Sequence, residues 1–520
     1  MRRSDRVSRR SFLQYSAAAG AAAVAARFPA APAGQGSDLE EATIAELHRS
    51  LRTGRYSGRG LCEAYLARIE AIDRAGPTLR SVIETNPEAP ALGEELDVER
   101  LAGRLRGPLH GIPVLIKDNI ATHDRMTTTA GSLALAGNRA LRDAVVVERL
   151  RAAGAIILGK TNLSEWANFR STQSSSGWSG RGGQCRNPYV LDRNPCGSSS
   201  GTGAAIAASL AAVGVGTETD GSIVCPSSAC ALVGIKPTLG LIGGAGIIPI
   251  AHSQDTAGPM ARTVTDAAIL LGVLAGKDYT SSLDVNGLKG ARIGVARKKF
   301  FGYSPEADAL VEAAIDVLRR QGAIIVDPAD IPHAGEYDDT ELTVLLYEFK
   351  ADLNAYLTDW APYAQPRSLA DLIAFNEANR ATELRYFGQE LFLQAQEKGA
   401  LTDPVYRDAL EKNRRLSQTE GLDAVFAQHT LDAIVAPTGS PAWPTDLVNG
   451  DHFLGASSTP AAVSGYPSIS VPVGYAFGLP VGMSFIGRAR SEATLVKCAF
   501  AYEREARPRR PPSFLPTAAL

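Results

Sequence analysis

The sequence is poor in histidine, in lysine and in net charge, and each scarcity removes a class of function. Seven histidines are scattered over 520 residues with no pair at helical metal-ligand spacing, which excludes a zinc hydrolase of that design. A formal net charge of −2, from 53 basic and 55 acidic residues, offers no basic excess for nucleic acid. No apolar run reaches the ~18 residues that a membrane-spanning helix needs. The six cysteines, at 62, 185, 196, 225, 230 and 498, make no metal-ligand pattern; Cys225 and Cys230 read as buried thiols, and disulfides are left open. Ser-x-x-Lys occurs nowhere, which removes the penicillin-binding arrangement of serine and lysine.

What is present is ordinary globular material, 45% hydrophobic and 21% charged, enough for one large core. The first 33 residues stand apart. A basic head is followed by a weakly apolar, alanine-rich stretch from Tyr15 to Ala26 and by a small-residue cleavage site at Ala31-Pro32-Ala33. That is the layout of a signal peptide. The element Ser8-Arg9-Arg10-Ser11-Phe12-Leu13 resembles a twin-arginine export signal, which predicts export to the periplasm or beyond. From residue 34 onward, short apolar runs such as "GIPVLIKD", "GAIILGKT" and "LDAIVAPT" alternate with helical segments such as "DAVVVERLRAA". The pattern predicts one α/β domain over 34–520 with a largely buried sheet. Residues 333–428 are mostly helical and rich in aromatics that look exposed, and they read as an insertion beside a substrate entrance or as a plain cover for the sheet.

Two short patterns are decoys. Gly154 to Thr161 fits a phosphate loop by letter, but its variable positions are themselves a strand, where a flexible turn is required. Gly197-Ser198-Ser199-Ser200-Gly201 fits a nucleophile elbow, yet no buried strand leads into it. Lys117 is of another kind, because it ends the apolar run "HGIPVLIK". Burial of an amine favours its neutral form, and a neutral lysine is a usable base. On position alone, a strand-end lysine paired with Asp118 is the simpler reading.

Two serine clusters change that balance: "NPCGSSSGTG" with Ser198, and "TETDGSIVCP" with Ser222. With them, the chain resembles the amidase signature family from "TIAELHRSL" to "GLPVGMSFIGRARSEATLVKCAFAYE". "RNPYVLDRNPCGSSSGTG" and "GTETDGSIVCP" are most similar to the bacterial peptide amidases within it. The resemblance implies a single domain whose mixed, mostly buried sheet is covered by helices on both faces. It also implies a triad: Ser222 as nucleophile and acyl-ester site, Ser198 as bridging serine after a cis peptide bond, and Lys117 as base. Thr219, Asp220, Gly221 and Ser222 would form the oxyanion hole, commonly worth about 3–4 kcal/mol per donor. No metal and no cofactor are implied. Many relatives have glycine at Asp220 and arginine at Val224. The missing arginine argues against a malonamate-type substrate, and Asp220 is expected to make a structural hydrogen bond.

The resemblance therefore implies hydrolysis of carboxamides to carboxylate and ammonia, with the C-terminal amide of peptides as the favoured substrate. A broad-range aliphatic or aryl amidase or esterase is the alternative. The A-subunit of a tRNA-dependent amidotransferase and a catalytically dead binding protein are the other classes. The export signal opposes the first of these, and the intact lysine and serines oppose the second. Trp178 and Ser199 are candidates for substrate contact, with the loop 171–184 as a groove for a peptide. The expected partner is a small-molecule or peptide amide. No nucleic acid and no stable membrane insertion are expected, and monomer and homodimer are both open.

Overall fold

Runs of β-branched residues bounded by glycine or proline favour buried strands, and most of the apolar runs become them. In a computed structural model, which describes residues 37–361 and 363–518, there are thirteen strands. They are β1 (Val82–Thr85), β2 (Pro113–Lys117), β3 (Ile156–Thr161), β4 (Trp178–Ser179), β5 (Gly183–Gln184), β6 (Val213–Glu218), β7 (Val233–Lys236), β8 (Thr256–Ala261), β9 (Arg292–Val295), β10 (Ile324–Val326), β11 (Ala433–Pro437), β12 (Ser468–Ala476) and β13 (Leu479–Ile486). Eleven of them form one sheet in the order β1-β3-β2-β6-β8-β7-β12-β13-β11-β9-β10, and β4 and β5 pair separately. The sheet is mixed. β3, β2 and β6 run parallel, as do β11, β9 and β10, while the central strands from β6 to β11 alternate in direction. β2, β3, β6, β7, β8, β11 and β13 are buried along their whole length. The proposed signal segment lies outside the described residues.

Helices flank the sheet. Val264–Ala275 and Pro305–Arg320 pack on it and on Glu492–Ala506, while Ser200–Ala207 and Val224–Ala229 form a second group. The helix Ser200–Ala207 (SGTGAAIA) is buried at every residue. Its small side chains are a packing requirement. A Cβ at Gly201 would stand 2.3 Å from the carbonyl oxygen of Ser81 and 2.4 Å from that of Asn162. The helix Val224–Ala229 is anchored by the Glu218 carboxylate, which accepts from the backbone N–H groups of Ile223 (2.6 Å) and Val224 (3.0 Å). A carboxylate at a helix N-terminus meets both unpaired donors and the positive end of the dipole.

The 333–428 segment is helical, with helices Asp338–Asp359, Leu369–Ala378, Glu390–Gln396, Pro404–Arg414 and Asp423–His429. Most of its aromatics correct the expectation of exposure, although Tyr363 is exposed. Tyr347, Phe349, Tyr356 and Phe392 are buried, and Phe349, Tyr356 and Phe392 form a second core with Trp166, Phe169, Leu353 and Leu357. The insertion thus shares a core with the rest of the domain, its aromatic faces turned inward against the 130–169 and 248–251 segments.

Candidate active site

β2 and β6 are parallel neighbours, with Ile116 opposite Val215, and their ends meet in one buried place. Successive residues on a strand point to opposite faces. Lys117 accordingly parts company with its neighbour Asp118. The Asp118 carboxylate accepts from the Thr129 hydroxyl and from the Gly131 N–H (3.3 Å), with Arg181 at 3.6 Å. Lys117 turns the other way. Its Nζ lies 2.7 Å from Ser198 Oγ, 2.9 Å from Thr217 Oγ1 and 3.2 Å from the Thr217 carbonyl oxygen. The side chain is fully buried. Burial drives the amine pKa down to about 7, opposed by the more distant carboxylates of Asp255 and Glu218.

A neutral amine has two hydrogens and one lone pair. Thr217 offers two oxygens to the hydrogens, which leaves the lone pair for the Ser198 hydroxyl. Thr217 Oγ1 is itself held by Asn119 Nδ2 at 3.0 Å.

The two serine clusters are laced together below the site. The Ser199 N–H donates to the Ser222 carbonyl (3.2 Å), and the Ser199 hydroxyl donates to the Thr217 carbonyl (3.1 Å) while accepting from the Thr217 N–H (3.2 Å). The Gly197–Ser198 peptide bond is cis. Gly221 adopts φ +76°, a left-handed conformation open to glycine at little cost, and the Cys225 N–H closes the turn onto its carbonyl at 2.8 Å. Thr219, Asp220, Gly221 and Ser222 line a cavity of about 480 Å³, together with Gly197. A cleft of about 570 Å³ near Arg262 and Tyr502 contains none of these groups.

A family model described as Amidase matches residues 60–496. A probable amidase of Arabidopsis thaliana is 43% identical over 92% of each chain. The crystal structure of the peptide amidase from Stenotrophomonas maltophilia is 52% identical with a TM-score of 0.87, covering 91% of this chain and 99% of that one. The A-subunit of a glutamyl-tRNA(Gln) amidotransferase from Chloroflexus aurantiacus is 35% identical over 90% of this chain and 97% of its own.

The chain belongs to the amidase family.

As an amidase it hydrolyses amide C–N bonds, and its mixed sheet flanked by helices is the amidase signature fold. Two candidate contacts of this amidase are placed elsewhere than the sequence suggests. Trp178 is buried, its ring 5.5 Å from Tyr386 and 5.1 Å from Phe387, with the Arg170 guanidinium 5.5 Å away. It is a core residue of the loop, and from 171–184 only Ser176 lines the cavity. Ser199 is buried and spends its hydroxyl on Thr217. The aromatics that line the cavity are instead Phe169, Trp443 and Phe453, the last two edge to face at 5.7 Å, with Trp443 Nε1 donating to Asp451 at 3.1 Å. Asp220 accepts from the Thr459 hydroxyl at 2.7 Å.

The reading of Cys225 as a buried thiol is also corrected, while that of Cys230 holds. Cys196 and Cys225 form a disulfide, while Cys62, Cys185, Cys230 and Cys498 are free and buried. The partners stand 29 residues apart, and only the meeting of two loops brings them together. Among the described residues, one group, His252, Glu348 and Asp352, has donor atoms close enough to hold a metal ion. Those atoms are already engaged. Asp352 accepts from the His252 ring at 2.8 Å and from its backbone N–H at 2.9 Å. Glu348 accepts from the Ser253 N–H (2.9 Å) and the Tyr406 hydroxyl (2.7 Å). The trio fastens the 250–255 loop to the insertion, and the imidazole pKa is raised through its bond to Asp352.

Proposed function

We propose that this amidase removes the C-terminal carboxamide of peptides through an acyl ester on Ser222, with Ser198 as proton relay and Lys117 as base. The observation that carries the reading is the buried Lys117 amine, 2.7 Å from Ser198, behind a cavity lined by Ser222. Neutral Lys117 takes the Ser198 proton as Ser198 takes that of Ser222, and Ser222 Oγ attacks the amide carbon. The developing oxyanion is met by backbone N–H groups of the 219–222 turn, which are fixed in advance and cost no reorganisation. Protonated Lys117 then returns the proton through Ser198 to the leaving nitrogen, and ammonia departs. Water repeats the sequence on the ester and yields the carboxylate.

The peptide end of the proposal is supported by the 52% identity to a peptide amidase, against 35% to an amidotransferase component. It is supported too by the cavity's size and its walls. About 480 Å³ lined by Trp443, Phe453 and Leu345 suits an uncharged acyl chain larger than acetamide. The test is a panel of peptide amides, simple aliphatic and aryl amides and anilides, assayed for released ammonia or amine. Peptide amides should lead in kcat/KM through binding remote from the scissile bond. Equal turnover of the simple amides would favour a broad-range amidase.

A further inference from the structure

The Cys196–Cys225 disulfide joins the two loops that carry Ser198 and Ser222. Cys196 precedes Gly197-Ser198, and Cys225 follows Ser222 by three residues on the first turn of the helix Val224–Ala229. Both cysteines line the active-site cavity, Cys196 buried and Cys225 half-buried. The hydrogen bonds that join the loops run beneath the serines: Ser199 N–H to the Ser222 carbonyl, and the Ser199 hydroxyl to Thr217. On the cavity side the covalent bond ties them. The loops are thus joined by two independent ties, one covalent and one of hydrogen bonds.

We infer that this disulfide is a positioning cross-link for the reaction: it sets the separation of Ser222 from Ser198, and, facing the cleft, it is open to chemical reduction while the enzyme stays folded. Lys117 is fixed independently, on β2 and by Thr217. Reduction by a dithiol transfers two electrons and two protons, breaking the S–S bond to give two thiols and the cyclic disulfide of the reagent. The freed loops retain their hydrogen bonds but lose the cavity-side tie. A misplacement near 1 Å of a reacting group costs about 10²-fold in rate. The loss falls on kcat, because the walls that hold the acyl chain, Trp443, Phe453 and Leu345, belong to other segments. The cross-link also makes full activity conditional on an oxidising compartment.

The inference rests on Ser222 as nucleophile and on the peptide-amide reading, and its test separates the failures. Oxidised enzyme, enzyme reduced with dithiothreitol and then alkylated, and the double variant C196S/C225S are compared, with thiols counted by mass spectrometry and folding checked by circular dichroism. With a peptide amide, kcat should fall about tenfold or more while KM changes less than about threefold, and the acid limb of the pH profile should stay in place. Reduced, unalkylated enzyme should recover its rate on reoxidation with oxidised glutathione. Labelling by a fluorophosphonate should slow in parallel, a readout that needs no substrate. If the oxidised enzyme hydrolyses no peptide amide, the substrate reading fails and the labelling still decides this one. Unchanged kcat and unchanged labelling in a folded, reduced enzyme would overturn the inference. So would a disulfide that yields to the dithiol only when the protein unfolds. Should the double variant fail to fold, the reduced wild type carries the test.

Discussion

The proposed base, Lys117, makes the sharpest prediction, because its ionisation is set by burial and can be perturbed by pH alone. Lys117 titrates near 7 where an ordinary lysine has a pKa of 10.5. At pH 7 an unshifted lysine would be neutral in roughly one molecule in 3,000, whereas one with a pKa near 7 is neutral in about half. That is a gain of about 1,500-fold in usable base, offset in part because an amine of lower pKa is also a weaker base. The protonated form has no lone pair, so activity is lost as pH falls through about 7 and levels off above it. The assay is kcat/KM for a peptide amide from pH 5 to 9.5, by ammonia release, with enzyme stability checked at each end. Log kcat/KM should climb with unit slope below about 7 and then flatten. The same shift carries a stability cost with a definite sign. The folded pKa lies below the unfolded one, so the penalty is absent above pH 10.5, grows as pH falls, and is complete below about 7. Lys117→Met should therefore abolish activity while the protein keeps or gains thermal stability at pH 7, the relief being offset in part by the lost hydrogen bonds of Nζ. A rate still climbing toward pH 10 without a plateau would refute the claim that burial, rather than a general alkaline effect, activates the lysine.

Further substitutions have definite expected outcomes. Ser222→Ala should remove fluorophosphonate adduct formation and lower kcat by about 10⁴-fold or more, with Ser198→Ala leaving a small residue of activity. An adduct mapped by mass spectrometry to another residue would end the assignment. Trp443→Ala should raise KM for peptide amides by about fivefold, as loss of an aromatic wall costs on the order of 1 kcal/mol. Trp178→Ala should instead lower stability by about 3–5 kcal/mol and leave KM of the folded enzyme near its starting value, read by thermal melts and by titrating active sites. Replacing Arg9 and Arg10 together by lysine should hold the precursor in the cytoplasm; unchanged export, followed by cell fractionation, would show the N-terminal signal to be misread.

What could be read from the chain divides along a physical line. Lys117 was legible as a buried strand end, because a strand and the residue that closes it are local, but position alone favoured a pair with Asp118 and only the resemblance made it a base. The serine blocks were legible for a related reason, since small residues at that density mean close backbone approach, and at Gly201 the approach leaves no room for a Cβ. β6 and β8 escaped notice, because "VGVGTE" and "TAGPMA" lack the run of bulky β-branched residues that marks a strand. They sit between β2 and β7, where both faces are covered and small side chains let the layers close. Thr217 was hidden with β6, although it takes the amine hydrogens that aim the Lys117 lone pair. The cavity wall and the disulfide escaped for a different reason. Trp443, Phe453 and Asp451 come from the segment after β11, and Cys225 finds Cys196 only because sheet order sets two distant loops side by side. Lys117 and Ser198 are themselves 81 residues apart, yet they could be paired in advance through family resemblance, which carries tertiary contacts that periodicity cannot. At Trp178 local composition left a substrate groove and an anchored loop evenly matched and the resemblance tipped the reading to the groove, while the structure puts a charged guanidinium and two rings around the indole. A tryptophan in a serine- and glycine-rich loop is as consistent with anchoring the loop as with binding a ligand, and only its neighbours decide between the two.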